Sequence, residues 1–486
     1  MKQDLNVVWL KRDLRTQDHA SLYVAEQLAV PYIILYCFEP SLIAHPDTSD
    51  RHLKFIYNSI LDINKHLSKY NRSVTITYAE ALEAFTFLDE KYEIHHVFSY
   101  QESGVMVTWQ RDKSLKKFFN QKNIVWQQFQ KDNVIRGIKN RKGWDQQWHQ
   151  AMSKQVVANS YSISKFETIA HPFALPTAFD KLVSHQHPTH QPAGETMAGK
   201  YLRSFIKDRG FNYQKYISKP RESRLSCARI SPYLAWGNIS IKQAYHEVRF
   251  DDNFSLAKRA FTAFLTRLKW HCHFIQKFEV ENTYETDCIN AGYELLERPY
   301  NETVVRAWRE GKTGYPLVDA CMRCVNETGW INFRMRAMVV SFLCHHLDQD
   351  WRAGVYHLAQ QFLDYEPGIH YPQFQMQAGT TGVNTVRIYN PIKQSQDHDP
   401  EGIFIKKWVP ELAVVPTRFI HEPWKMTHMD QIFIQIELEK IYPLPIVDLV
   451  KSGQIARDKI WNHRKQEVVK EEKKRILAIH IRPNNK

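Results

Sequence analysis

At 486 residues the chain is long enough for two or three domains with proper cores, and 65 Lys and Arg against 52 Asp and Glu give it a formal charge of +13. That basic excess suits an anionic partner, nucleic acid before a membrane surface, and an aromatic content of 13% suits stacking on planar ligands as well as core packing. Seven cysteines at no framework spacing exclude a disulfide scaffold and point to a reducing compartment. The start MKQDLNVVWLKRDLR holds no apolar signal region and no later run nears a membrane span, so a soluble, cytoplasmic protein without membrane contact is expected.

Over residues 1–130 short β-branched and aromatic runs alternate with helical periodicity. The runs are Asn6 to Leu10, Tyr32 to Phe38, Val74 to Tyr78, His96 to Tyr100 and Ile124 to Phe129; His52 to Lys69 and Trp109 to Phe119 read as helices between them. This alternation predicts an α/β domain with a parallel five-stranded Rossmann-like sheet and ligands at the carboxyl ends of its strands. No GxGxxG or GxxxxGK[ST] follows any strand, which disfavours a dinucleotide or nucleoside triphosphate there. Residues 131–195 read as a connecting linker, docked by the tryptophans of NRKGWDQQW and then lying over the surface. Its His185, His187 and His190 read as a solvated loop rather than metal ligands.

Residues 196–486 read as all-helical. Leu256 to Phe278 is one apolar-faced helix, and Val318 to His346 is two, parted near Thr328 and Gly329. The CxxC of Cys321 and Cys324 lacks a second pair at zinc spacing and reads as two small core residues, so no metal is expected. The stretch Gln361 to Asn390, QFLDYEPGIHYPQFQMQAGTTGVNTVRIYN, places Asp364 and Glu366 two apart ahead of Pro367, Gly368 and Pro372. It reads as a binding loop between helices, too broken for one buried helix. The mixed-sign tail HRKQEVVKEEKKR from His463 reads as an exposed terminal helix.

Four blocks carry a resemblance: VVWLKRDLRTQDHASL, SRLSCARISPYLAWGNIS, AWREGKTGYPLVDACMRCVNETGW, and RIYNPIKQSQDHDPEGIFIKKWVPEL followed by HEPW. In that order they resemble the cryptochrome/photolyase family over nearly the whole chain. The resemblance implies an α/β antenna domain, an all-α domain holding FAD, blue or near-UV light as the energy source, and UV-damaged DNA, single or double stranded, as the partner of a monomer. It implies repair of pyrimidine dimers by electron transfer from reduced flavin, with a cryptochrome photoreceptor as the alternative. It assigns Ser223, Arg224, Leu225 and Ser226, with Tyr213, to the flavin pyrophosphate, where hydroxyls and free N–H groups at a helix start would hold an anion. Arg336 is assigned to pair with Asp364 at the isoalloxazine edge, beside Tyr365 and Glu366, and Trp270 to stack on the lesion.

Departures from the family pattern fall in the same places. Arg267 stands where a lesion-contacting glutamate is usual, which reverses the hydrogen-bond polarity of that contact. His370 replaces an asparagine beside flavin N5 and reads as a proton donor or radical stabiliser, depending on its pKa. Met376 and Phe333 replace a second cradle tryptophan and an asparagine. Of the three relay tryptophans only Trp351 is present, with Phe374 at the inner position and Arg298 and Tyr300 near the outer one. Photoreduction is therefore expected to be slow or rerouted through Tyr365, Tyr371 or Trp330. Tyr100 to Glu102 falls where the family contacts a second antenna chromophore, a folate or deazaflavin, whose identity the sequence leaves open.

Overall fold

The computed structural model describes residues 2–164, 169–185 and 187–480. Its sheet contains β1 (Gln3–Leu10), β2 (Tyr32–Phe38), β3 (Val74–Tyr78), β4 (Tyr92–Tyr100) and β5 (Val125–Phe129). All are parallel, in the order β3-β2-β1-β4-β5. Both faces of the central strands are covered, so β2 is buried along its whole length and reads as a continuous apolar run rather than an alternating one. The order reverses between β1 and β4, which opens a crevice at their carboxyl ends where Lys11, Arg12 and Glu102 follow the strands.

One face of the sheet closes on Phe85, Phe119 and Trp126. The other face, with Val8, Leu10, Ile34 and Phe38, belongs to a core that runs on without a break through Trp144, Trp148, Phe205 and Tyr233 to Leu268. Two helices of the connecting stretch join that core, where the sequence reads as a surface linker. They are Trp144–Ser153 and Thr177–Ser184, which bury Trp144, Trp148, Met152, Phe179 and Val183. The docking tryptophans are where the sequence put them; the second helix is short and was masked by the Pro, His and Thr around it. His185 and His187 are exposed, and His187 packs on His190 with ring centroids 4.6 Å apart.

Among the described residues after 196 there is no strand. Helices Lys258–Val280, Pro316–Thr328, Phe333–Ser341 and Arg352–Gln361 pack around the largest apolar cluster, which takes in Cys321 and Cys324. Gly329, at φ 71°, ends the Pro316–Thr328 helix in the left-handed conformation that a Cβ disfavours.

The middle of the stretch read as a broken loop is instead a helix, Pro367–Ala378, which buries Pro367, Gly368, Tyr371, Phe374 and Gln375. Pro367 sits in its first turn, where a missing N–H costs nothing, and Glu366 precedes it in extended conformation. Pro372 lies inside the helix, and the carbonyl its ring would crowd, four residues back, is that of Gly368. Gly368 also sets the crossing with the Lys258–Val280 helix, because a Cβ there would stand 2.9 Å from Ile275 Cα. Contact that close excludes any side chain, so we expect Gly368→Ala to lose about 1–3 kcal/mol by overpacking. A lowered melting temperature relative to the parent checks this; an unchanged one refutes the tight crossing.

Candidate functional site

The crossing of those two helices, with Phe333–Ser341 and the loop before Ser231, encloses an elongated cleft of two joined cavities of about 250 Å³ and about 50 Å³. Both are lined by Phe333, Arg336, Asp364, Ile369 and Gln373. At the junction Arg336 donates to Asp364 Oδ2 at 2.7 Å and to Ile331 O at 2.9 Å, and its guanidinium lies 3.9 Å over the Phe362 ring. The second carboxylate oxygen, Asp364 Oδ1, is buried with no partner. Arg336 and Asp364 are thus paired as the sequence suggested, with one acceptor left over.

His370 sits in the smaller cavity with its ring edge-on to Tyr365 at 5.4 Å and Phe374 at 5.7 Å. Its Nε2 bonds to Val355 O at 2.9 Å, and burial lowers its pKa to about 4. A neutral imidazole whose N–H is committed to a backbone carbonyl is not a ready proton donor near neutral pH. Glu366 lines the smaller cavity and also the crevice at the end of the sheet; burial raises its carboxyl, while Arg12, at 3.8 Å, and Lys131 act against that rise. Tyr365 is buried, and its phenol donates to Asp47.

The SRLS residues do not line the cleft. Ser223–Ser226 is a single helical turn whose N–H groups already bond to the carbonyls of Lys219, Arg221 and Glu222, so its backbone offers no free N–H to an anion; the Ser226 hydroxyl is buried without a partner. Leu225 is exposed, and Arg224 turns to Trp330 O at 3.1 Å. The wall is built by the next block, Cys227 to Ser231. Arg-Leu-Ser at 224–226 is echoed by Arg-Ile-Ser at 229–231, and the sequence reading took the first copy. Arg229 was missed with it. It lies 4.0 Å over Trp330, its Nε has no partner, and burial with the neighbouring Arg224 lowers its pKa to about 10. Its φ of 59° marks a constrained turn that no composition signal announces. His271 Nε2 and Asn332 Oδ1, also on the cleft wall, are likewise buried and unpartnered. Unmet polar atoms of this density in one cavity wall suit a polar ligand.

Tyr213 lines the buried end of the cleft, while Trp270 stands at its mouth, 46% exposed, with the Arg267 guanidinium 4.4 Å over its ring. His271 lines the cleft but His273 faces Arg141 at 2.7 Å, so the two histidines serve different surroundings. Trp351 is buried in the helical core under Arg352 at 4.7 Å, and Met376 lines neither cavity. A separate cavity of about 90 Å³ lies at the carboxyl ends of the sheet, walled by Trp9, Tyr36, Arg12, Glu39, Glu102 and Arg111. Those charges are already paired, Arg111 with Glu39 at 2.8 Å and with Glu102 at 2.7 Å.

The profile described as the FAD binding domain of DNA photolyase matches residues 264–462, and that described as DNA photolyase matches residues 6–160. The chain belongs to the cryptochrome/photolyase family. Deoxyribodipyrimidine photo-lyase of Alkalihalophilus pseudofirmus is 27% identical over 93% of this chain and 97% of its own length. Cryptochrome DASH of Synechocystis sp. is 27% identical over 93% and 96%. The crystal structure of a class III photolyase from Agrobacterium tumefaciens superposes with a TM-score of 0.83 at 24% identity, covering 96% of this chain and 99% of that one. The photolyase of Sulfolobus tokodaii, solved with two FAD molecules, superposes with a TM-score of 0.79 at 24% identity over 94% and 100%.

The cleft fits FAD as the family's cofactor. Asp364 Oδ1 offers an acceptor for a ring N–H, Arg229 lacks an ion pair among the described residues, and the aromatic walls suit planar rings. The 90 Å³ cavity is the smaller space and its charges already pair with one another, so we name no second chromophore there.

The buried histidines give the fold a pH signature. Burial lowers His52, His271 and His370 to about 4 each, so all three are neutral in the native chain. Between about pH 6.5 and 4 the unfolded chain binds protons that the native chain refuses, and stability falls as the pH drops through that window. We expect the urea midpoint to decline across it, each histidine adding a slope of up to about 1.4 kcal/mol per pH unit. His370→Gln should flatten the decline; a midpoint constant over that range contradicts the assignment.

Proposed function

We propose that this family member is a light-driven lyase that splits UV-induced pyrimidine dimers in DNA. The observation that carries the reading is the half-exposed Trp270 at the mouth of the FAD cleft, an apolar ring left open where a dimer of adjacent pyrimidines flipped out of one strand would enter. A tryptophan so placed in a chain of charge +13 suits stacking on an extruded base while a basic surface meets the phosphates. The photo-lyase relatives across the whole chain support the same reading.

Reduced FAD, excited by light, supplies the electron that splits the dimer. The protein's residues bind and orient. Arg336 fixes Asp364 so that its free oxygen can accept from the ring edge, and Arg229 meets negative charge on the cofactor. His370 stays neutral and adds no positive charge beside the ring. Arg267, held over Trp270, donates to the lesion where a carboxylate would accept. We place the protein in the cytoplasm as a monomer, in keeping with seven buried free cysteines.

The test is direct. The FAD-loaded chain is reduced and illuminated with oligonucleotides carrying a cyclobutane or a (6-4) dimer, single and double stranded, and restored bases are counted. We expect restoration of at least one lesion; none from any, with FAD bound and reduced, rejects repair and leaves the photoreceptor reading. Trp270→Ala should weaken binding of damaged DNA about 5- to 150-fold, the equivalent of about 1–3 kcal/mol for one stacked base. Equal affinity in the variant and parent would remove Trp270 from the lesion site.

A further inference from the structure

Tyr365 forms a wall between two cavities. On one side it lines the smaller cavity of the FAD cleft with Arg336, His370 and Phe374, one residue along the chain from Asp364. On the other its phenol donates to Asp47 Oδ2, and Asp47 lines the cavity at the carboxyl ends of the sheet. Asp47 Oδ1 is 2.6 Å from His45 Nδ1, and His45 Nε2 is 3.2 Å from Glu285 Oε1. Four side chains therefore form one line of hydrogen bonds, from the cleft wall to the partly exposed His45.

The charges along this line suit proton transfer out of the phenol. Burial alone would raise the Asp47 carboxyl, but the hydrogen bond and charge of His45 outweigh it and hold it below the usual range. Burial would lower His45, yet Asp47 and Glu285 together raise it to about 9. An ionised carboxylate thus waits on the phenol, and a cationic imidazole stabilises that carboxylate.

The surroundings also forbid oxidation without proton loss. The Arg12 guanidinium is 5.7 Å from the Tyr365 ring, and His52 stacks on the other side at 5.6 Å with an interplanar angle of 16°. A phenol that lost an electron and kept its proton would be a cation held against Arg12 in a buried place. If the proton passes to Asp47, the ring stays neutral and that repulsion disappears.

Other oxidisable side chains near the cleft are less well placed. Trp330 lies between two guanidinium groups, Arg229 at 4.0 Å and Arg224 at 5.7 Å, which penalise positive charge on its ring. Trp351 faces Arg352. Tyr371 stacks on Phe278 and, among the described residues, has no carboxylate bonded to its hydroxyl. Phe374 lines the cleft but is not readily oxidised.

We propose that Tyr365 is a redox-active tyrosine that reduces the bound flavin under light, with Asp47 as its proton acceptor. One electron leaves the phenol for the light-excited oxidised flavin, and the O–H bond breaks as its proton joins Asp47 Oδ2. The products are a neutral tyrosyl radical, a neutral Asp47 carboxylic acid and flavin reduced by one electron. An added thiol returns an electron to the radical, and Asp47 returns the proton. This rests on FAD in the cleft and not on DNA repair, and the test contains no DNA, so the two can fail separately.

The experiment uses the FAD-loaded full chain, illuminated and freeze-trapped, with electron paramagnetic resonance as the readout. Chains grown with ring-deuterated tyrosine or tryptophan identify the radical without any substitution, and we expect only the tyrosine label to narrow the signal. Tyr365→Phe should abolish that radical and slow thiol-supported photoreduction at least tenfold, while Tyr371→Phe keeps both. In deuterated water the parent should slow, and Asp47→Asn should lose that isotope effect. Without FAD, proton NMR should show a far-downfield resonance for the Tyr365–Asp47 hydrogen bond, lost in either variant. A signal narrowed by the tryptophan label, or a tyrosyl radical that survives Tyr365→Phe, overturns the proposal.

Discussion

The structure turns on the largely buried guanidinium of Arg12. It follows β1 directly and lies 4.3 Å over the Trp236 ring; it donates to Tyr365 O at 2.9 Å and stands 3.6 Å from Glu102 and 3.8 Å from Glu366. A single charge so deep would be untenable without such partners. By satisfying it with groups from both halves of the chain, the fold fixes the end of the sheet against the segment that opens the cleft. Neighbouring contacts follow the same line: Arg51 donates to Gln361 O at 2.7 Å, and His52 bonds to Phe362 O at 2.8 Å. The backbone from Gln361 to Glu366, which positions Asp364, is therefore held by side chains of the sheet domain as much as by its own helices.

How much of this is legible in the sequence depends on where each signal is stored. The strands are local, since Tyr32 to Phe38 and Val74 to Tyr78 announce themselves by β-branched composition, and the structure returns the same limits. The Pro367–Ala378 helix is not local. Two prolines and a glycine argue against it, and only the tertiary fact that Gly368 meets Ile275 explains why glycine is needed and helix geometry is kept. The pairing of Arg336 with Asp364 came from a resemblance, and no spacing rule would have found it. Ser223 to Ser226 shows the opposite failure: the right letters occur five residues before the place where the fold uses them, and only three-dimensional lining separates the copies.

Around the cleft the positive charges share one habit. Arg224 and Arg229 lie over Trp330, Arg267 over Trp270 and Arg336 over Phe362. Stacking lets a guanidinium be desolvated at modest cost while its N–H groups remain free for a ligand at the ring edge. Against these cations the cleft wall sets two carboxylates, Asp364 and Glu366, the second raised by burial, and its histidines His271 and His370 are neutral. Such a field favours an electron-rich cofactor and an anionic phosphate chain.

The same field decides where an electron donor can stand. A cation on the face of an aromatic ring makes it harder to oxidise, which takes Trp330 and Trp351 out of favour; Tyr365, with Arg12 at 5.7 Å, stands apart because its proton can pass to Asp47. The carboxylates that could offset this lie across the wall, where Asp47 and Glu285 bracket His45. Tyr365 reaches from the cleft to that acidic side, because it follows Asp364 by one residue and points its hydroxyl the other way. Separating acceptor and donor by sign of charge across one residue's width lets a strongly positive flavin site coexist with an oxidisable neighbour, and in this chain the seam built around Arg12 supplies that separation.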